Sequence, residues 1–76
     1  MTIDETILDA RGLRCPLPVL RAEKRLAELP AGARLVVLAS DPMAKVDIPL
    51  FCRQKGYACT VSDEAGAMRL TIQKPG

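Results

Sequence analysis

The uninterrupted apolar run Leu35-Val36-Val37-Leu38, closed by Ser40-Asp41-Pro42, constrains the fold of this chain more than any other segment. An unbroken run of this kind fits a central strand, predicted over Arg34 to Ala39. The other elements arrange themselves around it. Glu5 to Ala10 holds Thr6, Ile7 and Leu8 and stops at Arg11-Gly12, which marks a first strand. Between the two, Val19, Ala22, Leu26 and Leu29 recur at helical spacing, with Arg21, Lys24, Arg25 and Glu28 elsewhere. Pro16 to Leu29 therefore reads as an amphipathic helix, stopped by Pro30 and Gly32.

Beyond the central strand, Asp47 is a good helix N-cap, which puts Pro49 in the first turn, and Lys55-Gly56 supplies a basic last turn and a C-cap. A short extra turn from Met43 to Val46 is compatible with this. Tyr57, Cys59 and Val61 then alternate with Ala58, Thr60 and Ser62, Asp63-Glu64-Ala65-Gly66 turns, and Met68, Leu70 and Ile72 alternate with Arg69 and Thr71. The order is βαβαββ. Right-handed crossovers place both helices on one face of a four-stranded mixed sheet, an α/β (α+β) two-layer sandwich. Val36 or Leu38 must point to the open face, which is either an ordinary half-exposed strand surface or a place for a partner or weak self-association.

Seventy-six residues allow one domain over 1–76, and 49% hydrophobic with 26% charged residues is the profile of a folded soluble chain. A domain of this size buries about 60% of the surface its unfolded chain exposes, so chemistry belongs near the surface. A net charge of +2, from 11 basic and 9 acidic residues, is too even for nucleic-acid binding by electrostatics alone. With Phe51 and Tyr57 as the sole aromatics, a stacking platform is also excluded. The start Met1-Thr2-Ile3-Asp4-Glu5 is acidic and unlike a secretory signal, and no run approaches the roughly 18 apolar residues of a membrane span. A cytoplasmic monomer is expected.

Three cysteines in a reducing compartment read as free thiols. Cys15 stands out, because Cys15-Pro16-Leu17-Pro18 opens the first helix. With Cys15 as N-cap, Pro16 and Pro18 occupy first-turn positions whose N–H groups have no partner in the helix, so they pre-set the backbone at no loss. Leu17 N–H is then the nearest donor for a thiolate. The helix terminus, with Arg11 and Arg14 beside it, is expected to move the thiol from about 8.5 toward about 7. Cys52, four residues after Ile48, and Cys59, on a face with Tyr57 and Val61, read as small core residues. Met43 and Met68 read as gap fillers. The chain has no histidine, so the Cys-His pair of cysteine hydrolases is missing, and no CxxC spacing supports a metal or thioredoxin-type site. No cofactor is expected.

Leu8-Asp9-Ala10-Arg11-Gly12-Leu13-Arg14-Cys15-Pro16-Leu17-Pro18 resembles the signature of the TusA/SirA-type sulfur carrier family, whose mark is a CPxP box opening the first helix. Asp41-Pro42, Asp47-Ile48-Pro49-Leu50-Phe51-Cys52 and Gly56 are similar to its other recurring segments. The resemblance implies the same βαβαββ sandwich and a carrier that holds sulfur as a persulfide on Cys15. It also implies a cysteine desulfurase or rhodanese-type donor and an acceptor sulfurtransferase. In such a mechanism Arg11 and Arg14 stabilise the anion or dock an acidic partner, and Asp9 and Asp41 shape the loop surface.

Family members serve tRNA wobble thiolation, cofactor sulfuration and sulfur oxidation. Leu17 replaces the acidic residue of the tRNA type, so Cys15-Pro16-Leu17-Pro18-Val19-Leu20-Arg21 looks closer to carriers of sulfur oxidation. Two other functions use the same residues. A regulatory module would use the open sheet face without carrying sulfur, and a redox switch would join Cys15 to Cys52 or Cys59.

Overall fold

The computed structural model describes residues 5–76, with Glu64 described by its backbone. The acidic start from Met1 to Asp4 lies outside them. The elements are β1 (Glu5–Ala10), α1 (Leu17–Glu28), β2 (Arg34–Ala39), α2 (Ala44–Lys55), β3 (Ala58–Glu64) and β4 (Ala67–Gln73). The sheet order is β1-β2-β4-β3, with β1 parallel to β2 and the other pairs antiparallel. The apolar run is central, as its composition requires. Because β1 and β2 are parallel neighbours, the loops that leave them toward α1 and α2 emerge at the same end of the sheet.

Alternation sorts the two faces of β2. Leu35, Val37 and Ala39 join Ala10, Leu70 and Ile72 beneath Ala22 and Leu26 of α1 and Ala44, Ile48 and Cys52 of α2. Leu26 is 1% exposed and contributes on the order of 2–3 kcal/mol by burial. Val36 takes the open face, in register with Ile7 on β1 and Thr71 on β4. It is nevertheless fully buried, while Leu38 is half-buried. Around Val36 lies a polar belt in which Glu5 meets Arg34 at 3.7 Å and Arg69 at 3.8 Å.

Both helix starts differ from expectation. The residue that caps α1 is Pro16, so Leu17 opens the helix and Pro18 follows it; Pro18 is buried and packs, beyond restricting φ. The first turn of α2 forms earlier than Asp47. Asp41 Oδ1 accepts the Met43 N–H at 3.0 Å, and Ala44 and Lys45 donate to the carbonyls of Asp41 and Pro42, a tight turn that leads into the helix. Asp47 is therefore the fourth helical residue, not the cap, and Pro49 lies inside the helix. Pro49 has no N–H to donate to the Lys45 carbonyl one turn earlier in the helix. Met43 is 48% exposed and fills no gap, whereas Met68 packs against the core.

The end of α2 is closed by the predicted glycine, and that of α1 by a lysine from the far end of the chain. Gly56, at φ 80°, ends α2 in a Schellman arrangement, with Tyr57 N–H on the Cys52 carbonyl at 2.7 Å and Gly56 N–H on that of Arg53 at 3.3 Å. For α1, the Lys74 ammonium donates to the carbonyls of Leu26 and Leu29, each at 2.7 Å, placing a cation on the negative end of the helix. The β3–β4 hairpin turns on Ala65 and Gly66 alone, tighter than the four residues expected.

Candidate functional site

Cys15 lies in the β1–α1 loop, which the β2–α2 loop holds from the side. Gly12 N–H donates to Ser40 Oγ at 2.9 Å, and Cys15 N–H donates to Asp41 Oδ2 at 2.6 Å. Asp41 thus spans two tasks, since its other oxygen starts α2. An open cleft of about 320 Å³, lined by Gly12, Leu13, Arg14, Ser40, Asp41 and Pro42, runs between the loops. The cysteine backbone is fixed, and its side chain is exposed.

The sulfur faces an acid. Cys15 Sγ donates a hydrogen bond to Asp47 Oδ2 at 2.6 Å. That bond, with partial desolvation and the negative charges of Asp47 and Asp41, raises the thiol above its ordinary value. The expected drop toward 7 is therefore reversed. Its supports are engaged elsewhere: Leu17 N–H donates to the Arg14 carbonyl at 2.8 Å, so no thiolate is met there. The Arg11 guanidinium grips Asp9 through two bonds of 2.8 Å, which holds the Asp9 carboxyl down at about 2. Arg14 acts on Asp41, whose carboxyl is lowered chiefly by the Cys15 and Met43 N–H groups and further by that charge.

Of the residues singled out in the sequence, Arg14, Cys15 and Pro16 share this loop, Leu17 and Pro18 open α1 directly after it, and Arg11 stands at its start, turned to Asp9. Asp47 and Ser40 were missed as parts of the site. The signal for both was topological: parallel β1 and β2 bring the residues after each strand together. Exposed apolar side chains flank the loop on the early turns of both helices, Leu17 and Leu20 on α1 and Val46 and Leu50 on α2, with Met43 just ahead of α2.

The other thiols behave as core residues. Cys52 is 1% exposed on α2 and Cys59 is half-buried on β3. They interact with each other, and the Cys59 contact together with burial holds Cys52 in its protonated form. The sulfur contacts in the structure thus join Cys52 to Cys59 and Cys15 to Asp47, rather than Cys15 to either cysteine.

Known proteins share this architecture. A SirA-like protein from Desulfitobacterium hafniense superposes with a TM-score of 0.85 at 32% identity, covering 93% of this chain and 99% of that one. The sulfur carrier protein TusA of Pseudomonas entomophila is 42% identical over 73 residues, 95% of this chain and 91% of its own. That of Pseudomonas putida strain F1 is 41% identical over 71 residues, 92% of this chain and 89% of its own. Residues 6–74 match the family described as Sulfurtransferase TusA, and the chain belongs to that family.

Proposed function

We propose that this chain is a sulfur carrier that takes sulfane sulfur as a persulfide on Cys15 and hands it to an acceptor sulfurtransferase. The donor is a cysteine desulfurase or rhodanese-type protein, and the relay serves tRNA thiolation, cofactor sulfuration or sulfur oxidation in the reducing cytoplasm. One observation carries the reading: of three thiols, Cys15 alone is exposed, on a loop braced by Ser40 and Asp41. Relatives named as sulfur carrier proteins support it.

The chemistry needs little machinery. As Cys15 Sγ attacks the outer sulfur of the donor persulfide, a new S–S bond forms and the donor's S–S bond breaks. The electron pair stays on the donor cysteine, and the Cys15 proton passes to it or to water. The sum, Cys15 thiol plus donor persulfide giving Cys15 persulfide plus donor thiol, consumes no oxidant. An open cleft suits this better than an enclosed pocket, because both reacting sulfurs belong to proteins. Leu17, Leu20, Met43 and Val46 offer the apolar contact that docking requires.

Incubation with a cysteine desulfurase and cysteine, followed by intact mass measurement, tests this. The wild-type chain gains one sulfur atom and Cys15→Ser gains none. A chain that gains no sulfur from any of several donors would sink the reading.

A further inference from the structure

The charged groups that face the Cys15 sulfur are anionic. Asp47, from α2, accepts the S–H at 2.6 Å, and Asp41, from the β2–α2 loop, accepts the Cys15 N–H at 2.6 Å. On the cysteine's own loop, Arg14 directs its charge to Asp41, and Arg11 is held by Asp9. Thiols built to attack unaided sit beside cations instead.

We propose that Asp47 sets how tightly Cys15 holds sulfur: its carboxylate disfavours negative charge at this position, on the bare cysteine and on the loaded persulfide alike. The protonated, empty carrier is then the favoured state, and sulfur is passed on rather than retained. This assignment rests on the carrier reading and adds a residue to it.

The atoms balance without a co-reactant. A persulfide is more acidic than a thiol, so loaded Cys15 carries an anion on its outer sulfur at neutral pH. An acceptor thiolate attacks the outer sulfur of the protonated form, Cys15-S-SH, whose proton becomes available to the leaving sulfur; the bond to Cys15 Sγ breaks, and the electron pair stays on Cys15 Sγ. That sulfur takes a proton and donates it as a hydrogen bond to Asp47 Oδ2. Asp47 therefore destabilises the loaded anion and stabilises the empty thiol, and both effects favour delivery.

The test compares the wild-type chain with Asp47→Asn, which keeps the size and removes the charge, and with Asp47→Glu, which keeps the charge. Each is equilibrated at neutral pH with glutathione persulfide and glutathione and weighed intact. The loaded-to-empty ratio of Asp47→Asn should exceed that of the wild type by about three- to tenfold, the worth of a hydrogen bond to a charged group after solvent screening. Asp47→Glu should return toward the wild-type ratio.

Alkylation by iodoacetamide as a function of pH provides a readout free of sulfur transfer, and its inflection should move to lower pH in Asp47→Asn. Superimposable ratios and profiles for Asp47→Asn and wild type, with equal melting temperatures, overturn the assignment. A shifted alkylation profile with no sulfur on any variant counts against the carrier reading itself and leaves the grip of Asp47 on the thiol standing.

Discussion

Asp41 ties Cys15 to the start of the second helix: one carboxylate oxygen accepts the Cys15 N–H at 2.6 Å while the other accepts the Met43 N–H at 3.0 Å. The thiol's position is therefore set by the same side chain that starts α2. Amide protection at these two residues should depend on it together.

Asp41→Ala is expected to speed hydrogen exchange at the Cys15 and Met43 amides by roughly tenfold each, with the β2 and β4 amides unchanged. Acid has a related effect. Because the folded protein holds the Asp41 carboxyl below its ordinary 3.8, its contribution is complete above that value and is lost as pH falls through the lower folded value. Protection at Cys15 that is insensitive to both changes would contradict this role.

Alkylation of the wild-type chain should report a reluctant thiol. The Asp47 bond and the charges of Asp47 and Asp41 raise Cys15, so the rate should rise with an inflection above 9.0. In linkage terms, the stabilisation from that contact is complete below the unfolded value and is lost as pH rises through the higher folded one. An inflection below 8 would show that the helix terminus outweighs the two carboxylates. Cys52 should stay unmodified in the folded chain, since it is buried.

The β3–β4 turn offers a stability test away from the site. Ala65 adopts φ 49° and Gly66 φ 81°, the pair of positive values of a type I′ hairpin, in which asparagine and glycine are favoured. Ala65→Asn should stabilise the domain by about 0.5–1 kcal/mol, read as a melting temperature a few degrees higher. A lower melting temperature would contradict the turn geometry.

Residues whose neighbours are local were legible in the sequence. β1 and β2 begin and end where their turn residues placed them, and Gly56 closes α2. The start of α2 was misplaced because Asp47 and Pro49 mimic a cap and a first-turn proline, while Asp41-Pro42, the pair that starts the turn, reads equally well as an ordinary β-turn. The electrostatics of Cys15 went wrong for a different reason. Arg11 and Arg14 are its neighbours in the chain, but the groups that bond it, Asp41 and Asp47, lie 26 and 32 residues away. Only the pairing of parallel strands brings them together.

Sulfur transfer to a single position is the central claim, and mapping labelled sulfur tests it most directly. The chain is loaded by a cysteine desulfurase with isotopically labelled cysteine, digested without reductant, and the label is located by peptide mass. The account predicts label on the peptide carrying Cys15, its loss from that peptide when an acceptor thiol is added, and none on the peptides carrying Cys52 or Cys59. Label that stays in the chain after Cys15→Ser, or that appears on Cys59 in the folded wild-type protein, would contradict it.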